Sequence, residues 1–444
     1  MRPHGTITGL LAAILWTAAA AVAGDWPQWR GPHLNGSADE THLPVRFSRT
    51  ENLAWAVPMP GACGSTPIVL GERIFLISTK SRSQDLLGLC LSLKDGQTLW
   101  SRKLSRGRAP AGGEISACSP ATDGRRVYFL FGTGDLAATD LEGKVQWSRS
   151  LGKDYGCFAI RFGYSASPLL RKGRLYIPLL RTEKPWPNSP GAKLPQELPL
   201  KSLVLCLDAE TGKTIWRHVR ETDAKADCRD TYMTPMAIEA KGRTEIILCG
   251  GEFITAHDAE TGKELWRWEY TKKREIWQRV VSSPVIADGL ILHSQAFGQA
   301  MVALRPGGSG RLAHTDTAWT WDGAAADVCT PLVYRGSVYV ISADKKGKLI
   351  TCLDPKTGKV TWQSKLAGAG PWRASPTGAD GKIYCVSEGG DYVVLAAGNG
   401  FKELFRCSLK ARPCRSTIVA AGGGLLLRTA KELLCLRKPS AGSK

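Results

Sequence analysis

The phrase that decides the fold stands at residues 256–266, which read AHDAETGKELW. Nearly the same phrase returns at residues 206–216 (CLDAETGKTIW) and 352–362 (CLDPKTGKVTW). Each copy follows an apolar run, carries an Asp and a Gly that suit a tight turn, and ends in a Trp. A phrase that recurs in this way predicts a chain built from repeated supersecondary units.

A second mark, a Ser or Thr followed by Pro, divides the chain into those units. Its hydroxyl residues are Thr66, Ser119, Ser167, Thr234, Ser283, Thr330 and Ser375. Ser416-Thr417 is a degenerate eighth mark. The marks are roughly 40–50 residues apart, with one longer step after Pro168, which is the size of a four-stranded propeller blade.

The turn signals inside one unit separate four strands. In the sixth unit we expect an inner strand at 331–334, a second at 337–341, a third at 349–353 and an outer strand from 360. No segment shows a long helical period. The sequence therefore predicts an all-β chain, an eight-bladed β-propeller with four-stranded antiparallel blades.

The two ends of the repeat array predict how the ring closes. The eighth unit ends after its third strand and lacks an outer strand and a Trp, whereas residues 53–57 form a spare strand at the start. Because open edges are a liability, we expect this N-terminal strand to pair with residues 432–437. A separate N-terminal hairpin is the alternative.

The turn phrase resembles the tryptophan-docking motif of the quinoprotein (PQQ-type) propeller family, Ala-x-Asp-x-x-Thr-Gly-x-x-x-Trp. The copy at 256–266 matches every fixed position, Cys replaces Ala in two others, and the fifth and seventh units are eroded. In that family each Trp stacks against the turn of the neighbouring blade. The resemblance implies this role for Trp55, Trp100, Trp147, Gly212, Trp216, Gly262, Trp266, Gly358 and Trp362.

The resemblance leaves two interpretations of activity open, because the family contains both dehydrogenases and non-catalytic propellers. Dehydrogenases of the family hold PQQ and calcium in the channel with Asp, Glu and Asn side chains and a disulfide between adjacent Cys. This chain has no adjacent Cys pair, and no Asn closely precedes a Ser/Thr-Pro mark. The favoured interpretation is the non-catalytic, BamB-like branch of binding and scaffold propellers, with no cofactor or metal expected and no catalytic residue assigned. The alternative is a PQQ- and calcium-dependent oxidoreductase acting on alcohols or sugars, and a carbohydrate-binding surface protein is a third possibility.

Candidate ligand-binding residues lie just before the inner strands, on the face with the irregular loops. The basic ones are Arg161, Arg229, Arg279, Arg373 and Arg415, and the acidic ones are Glu114, Asp230 and Asp327. If the guanidinium groups converge on the channel mouth, they would bind a carboxylate or phosphate bidentately. The other interpretation is a set of structural ion pairs between blades, and the sequence leaves both open.

The net charge of +19 favours anionic partners. In an exported chain we expect these to be an anionic protein or polysaccharide of the cell envelope, with no role for nucleic acid, and we expect a monomer. Thirteen Cys would allow disulfides, but four of them occupy one repeat position and are interpreted as inert core thiols. They are Cys90, Cys206, Cys352 and Cys435.

Residues 1–23 predict a signal peptide, with an apolar run at 10–22 and a small-x-small cleavage site at 21–23. No Cys follows the site, and no later run could span a bilayer. We therefore expect a periplasmic or extracellular protein without a lipid anchor; an uncleaved anchor is the alternative. Residues 24–52, which include DWPQWRGP, predict a strap packed on the propeller at 53–438, with a tail at 439–444.

Overall fold

The computed structural model describes residues 24–439 except 81–82, 109–116, 159, 188, 190–191, 193–196, 271–275 and 343–347. The predicted signal peptide, nearly all of the tail and Glu114 lie outside the described residues.

The described strands fall into eight blades around one axis. The first described strand is β1 (Leu53–Pro58). The first blade holds β2 (Ile68–Leu70), β3 (Arg73–Lys80), β4 (Asp85–Ser92) and β5 (Thr98–Arg106). The second holds β6 (Ala121–Thr122), β7 (Arg126–Leu130), β8 (Asp135–Asp140) and β9 (Val145–Ser150). The third holds β10 (Leu169–Arg171), β11 (Arg174–Leu179), β12 (Leu203–Asp208) and β13 (Thr214–Val219). The fourth holds β14 (Met236–Ala240), β15 (Arg243–Gly250), β16 (Phe253–Asp258) and β17 (Glu264–Glu269).

The second half of the ring follows the same plan. The fifth blade holds β18 (Val285–Ala287), β19 (Leu290–Ser294), β20 (Met301–Leu304) and β22 (Thr317–Trp321), with β21 (Gly310–Leu312) in the last connection. The sixth holds β23 (Leu332–Tyr334), β24 (Ser337–Ser342), β25 (Leu349–Leu353) and β26 (Val360–Lys365). The seventh holds β27 (Thr377–Ala379), β28 (Lys382–Val386), β29 (Asp391–Ala396) and β30 (Glu403–Ser408). The eighth holds β31 (Val419–Ala421), β32 (Gly424–Arg428) and β33 (Glu432–Leu436).

Helical structure in the described part of the chain is confined to short loop segments. They are α1 (Leu151–Tyr155) and 3-10 turns at Ala226–Arg229, Ala296–Gly298 and His314–Asp316. None of these described helices has the length and apolar character needed to cross a bilayer.

The ring closes with strand β1, which supplies the outer strand of the eighth blade. It runs antiparallel to β33, with Pro58 opposite Glu432 and Leu53 opposite Leu436. The predicted eight-bladed architecture and its closure by the N-terminal strand are both confirmed. The middle strands of each blade are buried on both faces because each blade packs between two neighbours, which is why they read as apolar runs.

The Ser/Thr-Pro marks form a ring of hydrogen bonds around the channel. Seven of the eight hydroxyls, all but that of Thr417, accept the backbone N–H of the equivalent residue in the preceding blade. Among the described residues the donor–acceptor pairs are Thr66–Ser119, Ser119–Ser167, Ser167–Thr234, Thr234–Ser283, Ser283–Thr330, Thr330–Ser375 and Thr417–Thr66. All eight residues are buried, so the hydroxyls satisfy N–H groups that would otherwise lack a partner at the axis.

The Trp at the end of an outer strand joins neighbouring blades, as the family resemblance implies. The indole N–H donates to a backbone carbonyl of the next blade at 2.8–3.2 Å. The donor–acceptor pairs are Trp55–Leu93, Trp100–Leu141, Trp147–Ala209, Trp216–Ala259, Trp319–Pro355 and Trp362–Gly398. In the first five pairs the ring also covers the Gly of that turn. Trp319 was not predicted because its blade lacks the turn phrase.

Trp266 departs from the expected contact. Its indole N–H donates to Glu245 of its own blade (2.9 Å) instead of a carbonyl of the next one. The fifth blade has no Asp-x-x-Thr-Gly turn; its connection places Gly308 against the indole and pairs β21 in parallel with β17. Glu245 is fully buried and also accepts the N–H of Gly307, so it replaces the missing turn carbonyl.

The cysteines are all free thiols, and every one except Cys407 is buried. Burial raises the pKa of Cys90 and of Cys206 to about 12. Burial likewise raises the pKa of Cys435 to about 11. These thiols remain protonated at neutral pH, which agrees with the prediction of inert core residues.

Candidate functional site: the channel mouth

The mouth face of the channel contains a cavity of about 480 Å³. The ring hydroxyls of Thr66, Thr234, Ser283, Thr330, Ser375 and Thr417 lie along its wall. Arg279, Arg373 and Arg415 line it from three different blade junctions, together with Asp327. A concave site with a few convergent charged groups is the usual form of a ligand site.

The N-terminal strap enters the channel from the opposite face and contributes Trp29 to the cavity lining. It bonds to the exposed edges of the inner strands: Trp26 exchanges backbone hydrogen bonds with Val69 at 2.9 and 3.0 Å, and the N–H of Gly378 donates to Gly36. Further backbone contacts reach the second, sixth and eighth blades. The strap therefore lies inside the ring, and Trp29 gives the cavity its floor.

Arg30 anchors the strap in the centre of the channel. Its guanidinium donates to the carbonyls of Pro376 (3.0 Å), Pro331 (2.8 Å) and Asn35 (2.9 Å). The side chain is fully buried, and burial lowers the pKa of Arg30 to about 9. Gly36 is the residue that packs against this guanidinium, where a β-carbon would collide with it. This cation holds the strap in place but does not line the cavity.

Arg373 and Arg415 share one carboxylate. Glu388, in the loop between β28 and β29, accepts from Arg373 Nη1 at 3.0 Å and from Arg415 Nε at 2.8 Å. The Glu388 side chain is 14% exposed, whereas those of Arg373 and Arg415 are 41% and 37% exposed. The carboxylate thus fixes the two guanidinium groups from behind and leaves them open to the cavity.

Arg279 and Arg161 share a second carboxylate. Asp227, from the 3-10 turn Ala226–Arg229, lies 3.8 Å from Arg279 and 3.9 Å from Arg161. Its side chain is 1% exposed. Burial raises the pKa of Asp227, and the two arginines oppose that shift. Arg279 lines the cavity, and Arg161 lies beside it on the mouth face, in contact with Phe162 of the lining.

Two of the candidate residues lie away from the cavity. Arg229 pairs with Glu183 at 2.9 Å in a separate groove between the loops near 182–186 and 222–229. Asp230 is fully buried and accepts three N–H groups, including the indole N–H of Trp186 at 2.7 Å. Burial raises the pKa of Asp230 to about 7, while these donors oppose the shift. The expected convergence of all five arginines is therefore wrong for Arg229, which the crossover loop directs outward.

Sequence reasoning missed the groups that orient the arginines. Glu388 could have been found, because the loop between second and third strands lies on the same face as the residues before the inner strands. Asp227 contacts residues 66 and 52 positions away, Arg161 and Arg279, and no local pattern marks it. Trp29 was assigned to a packed strap, and its position in the channel follows only from the three-dimensional arrangement.

A cluster of two histidines and a glutamate lies outside the channel. The spacing of the histidines in the sequence predicts no metal site. Nitrogen and oxygen atoms of His218, His257 and Glu264 lie within 4.8 Å of one another. Arg267 holds both oxygens of Glu264, at 2.5 and 2.8 Å, and one nitrogen of His257 faces the Thr255 hydroxyl at 3.1 Å. These bonds already use Glu264 and His257, and His218 faces Glu264 at 3.8 Å, so the group is better described as a structural network.

The cavity offers little to a calcium ion of the kind that the quinoprotein resemblance implies. Calcium takes six to eight oxygen ligands, several of them carboxylates. Among the described lining residues Asp327 is the single carboxylate, and its Oδ1 accepts the N–H of Phe297 at 3.0 Å. The wall hydroxyls already accept N–H groups in the Ser/Thr ring. The described lining therefore fits an anion and does not fit a divalent cation.

Fold and cavity define a class of protein: an eight-bladed propeller of PQQ-type repeats with a basic site in its channel. The family described as outer membrane protein assembly factor BamB matches this sequence at residues 15–178, 201–348 and 313–442. The chain belongs to this family.

Curated relatives come from the quinone-dependent enzymes. The dehydrogenase subunit of the quinone alcohol dehydrogenase of Gluconobacter oxydans is 29% identical over 191 residues, 38% of this chain and 23% of that protein. The corresponding subunit from Komagataeibacter europaeus is 28% identical over 189 residues, 38% and 24% of the two chains. The match thus spans about a quarter of the length of these relatives.

Solved structures of both kinds share the fold. BamB from Moraxella catarrhalis superposes with a TM-score of 0.58 at 13% identity, covering 86% of this chain and 98% of that one. A quinohemoprotein alcohol dehydrogenase from Comamonas testosteroni gives 0.64 at 13% identity, with 96% and 83% covered. A europium-containing methanol dehydrogenase gives 0.69 at 11% identity, with 91% and 89% covered. At these identities the likeness establishes the fold alone.

Proposed function

We propose that this chain is an exported, non-catalytic binding propeller whose channel cavity takes an acidic group of a protein or glycan of the cell envelope. One observation carries the proposal: Arg279, Arg373 and Arg415 reach the same cavity from three blade junctions. Asp327 is the only carboxylate among the described residues that line the cavity. Guanidinium groups in a concave, low-dielectric site focus a positive field and bind carboxylates bidentately.

The arrangement is prepared for binding before a ligand arrives. Glu388 and Asp227 hold the arginines by their ion pairs, so little side-chain freedom is left to lose on binding. The same ion pairs also support the competing interpretation, in which the arginines only join blades. Arg373 separates the two, because it is 41% exposed and Glu388 keeps Arg415 as a partner when Arg373 is replaced.

The test measures binding and stability on the same variants. We expect Arg373→Gln to weaken binding of citrate and of a triglutamate peptide by roughly ten- to a hundredfold, the value of a charged hydrogen-bonded contact. Arg373→Lys should weaken it less, because a lysine keeps the charge but loses the fork. The free energy of unfolding should change by less than about 1 kcal/mol, since the ion pair is partly exposed.

Arg73→Gln is the matched control. Arg73 pairs with Glu142 at 2.9 Å and is 36% exposed, but it lies at the start of β3 on the opposite face. It should leave both titrations unchanged. Destabilisation by Arg373→Gln without any loss of binding would assign the arginines to structure and contradict the proposal.

The enzymatic alternative has its own experiment. The apolar run at 10–22 and the family's description support the proposed export of the chain. Relatives named as quinone alcohol dehydrogenases support an oxidoreductase as the alternative function. The poor fit of the cavity lining to a calcium ion disfavours this alternative. We expect no dye-linked oxidation of alcohols or sugars after incubation with PQQ and calcium; turnover that needs both would establish the alternative.

A further inference from the structure

A strip of aromatic rings and guanidinium groups begins at the rim of the mouth face. The rings of Trp186 and Trp277 lie 6.5 Å apart, with their planes inclined by 30°. The guanidinium carbon of Arg161 lies 4.7 Å from the Trp277 ring centre and 5.3 Å from that of Trp186. It also lies 5.1 Å from the ring of Phe162. Arg161 thus joins the two tryptophans to the next ring toward the axis.

The strip continues into the cavity through Phe162 and Arg279. The guanidinium of Arg279 lies 5.3 Å from the Phe162 ring and 5.3 Å from the ring of Phe297. Phe162 and Arg279 both line the cavity. Asp227, behind the strip, pairs with Arg161 and Arg279 and so fixes their spacing as a positioning residue. Rings and cations therefore alternate along one continuous path.

Much of this path is open to solvent. Trp277 is 47% exposed, Phe162 is 37% exposed and Ile276, next to Trp277, is 49% exposed. Large apolar side chains that are left exposed together, beside cations, mark an interaction surface more often than a packing defect. Cation–π contacts hold the rings in place, so the surface is formed in advance.

We propose that this strip is a subsite for a glycan containing hexuronate units, with sugar rings on Trp277 and Phe162 and carboxylates on Arg161 and Arg279. The inference rests on the proposed function and names its ligand class. Every hexuronate unit has a flat face of C–H groups and a carboxylate on the same ring. Ring-to-guanidinium distances of 4.7–5.3 Å allow one such unit to touch an aromatic ring and a cation together.

An acidic peptide fits the strip less well. Its carboxylates are carried on flexible side chains, and Asp and Glu offer no apolar ring face for stacking. Such a peptide would use the arginines of the cavity and leave the rim tryptophans without a contact. The two ligand classes therefore differ in whether Trp277 takes part in binding.

The experiment titrates three probes into the full chain by calorimetry at low salt. They are trigalacturonate, the neutral trisaccharide obtained by reducing its carboxylates, and triglutamate. We expect trigalacturonate to bind at least about tenfold more tightly than the neutral trisaccharide, because a charged contact to Arg is lost. Trp277→Ala should weaken trigalacturonate about three- to tenfold, as expected for one aromatic contact, and leave triglutamate unchanged.

Two further variants control for indirect effects. Phe401→Ala removes a ring that is also 37% exposed but lies on the seventh blade before β30, and it should change none of the titrations. Trp277→Phe keeps a planar ring and should restore most of the affinity lost in Trp277→Ala.

The outcomes separate this inference from the proposed function. Equal binding of trigalacturonate to the wild type and Trp277→Ala, with Arg373→Gln still weakening triglutamate, would overturn the glycan subsite and leave the basic cavity intact. Tight binding of the neutral trisaccharide would overturn the role of the carboxylates. If neither anionic probe binds the wild type, the proposed function itself fails.

Discussion

Replacing Gly262 with Ala should destabilise the propeller through the Trp that packs on this glycine. Gly262 has a φ of +74°, and a β-carbon there would lie 2.6 Å from Cδ2 of Trp216. The left-handed conformation alone costs a non-glycine residue about 1–2 kcal/mol. Overpacking against the buried indole adds about 1–3 kcal/mol. We therefore expect Gly262→Ala to lower the free energy of unfolding by about 2–5 kcal/mol.

Gly173 is a matched control for the backbone contribution. It has a φ of +72°, and a β-carbon there would meet nothing within 4 Å. Gly173→Ala should therefore cost only the conformational part, about 1–2 kcal/mol. The difference between the two variants isolates the steric conflict with Trp216.

Urea unfolding of a double-mutant cycle measures that conflict directly. Trp216→Ala alone should cost about 3–5 kcal/mol, as large buried aromatics do. Combined with Gly262→Ala, it should cost about 1–3 kcal/mol less than the sum, because the collision is gone. If the two effects simply add, and Gly262→Ala costs no more than Gly173→Ala, the indole does not pack on this turn and the account of blade docking is wrong.

Three other changes test the axis and the core. His293 is fully buried, and burial lowers its pKa to about 3, so folding keeps it neutral while the unfolded chain takes up a proton below about pH 6.5. The free energy of unfolding is therefore highest above that pH and falls as pH is lowered. Between pH 7 and pH 5 the wild type should lose about 2 kcal/mol more of this free energy than His293→Leu. Equal losses in the two proteins would refute a neutral buried imidazole. Ser283→Ala leaves the buried N–H of Thr234 without its acceptor and should cost about 1–3 kcal/mol in urea unfolding, whereas no cost would show that the Ser/Thr ring is dispensable. Arg30→Ala removes the guanidinium that donates to the carbonyls of Pro331 and Pro376 and opens a void, so the free energy of unfolding should fall by about 3 kcal/mol or more; an unchanged free energy of unfolding would mean that the strap is not anchored in the channel.

The fold could be predicted from the sequence because its signals are local. Ser/Thr-Pro marks recur in seven units, with a degenerate eighth, and the turn phrase recurs in most of them. The eighth unit has no outer strand after residues 432–437, which points to the spare strand at 53–57 as its replacement. The prediction went wrong where a blade had lost the local signal. Trp266 faces a fifth blade without the turn, and Glu245 from its own blade supplies the acceptor instead.

The candidate site could be predicted only in part because its contacts are not local. The position before an inner strand placed Arg279, Arg373 and Arg415 at one cavity. Arg229 holds the same position in its unit but lies away from the cavity, paired with Glu183. The path of its crossover loop depends on packing that no short sequence pattern records. Asp227, which orients two arginines, gave no signal in the sequence for the same reason.

A crystal structure of the full chain grown with trigalacturonate tests the central claim most directly. The account predicts the ligand in the channel mouth, with a carboxylate within about 3 Å of Arg279, Arg373 or Arg415. It also predicts a sugar ring against Phe162 or Trp277. A trisaccharide bound only on the outer surface of the blades, with no carboxylate at Arg279, Arg373 or Arg415, would contradict the claim that this cavity is the binding site.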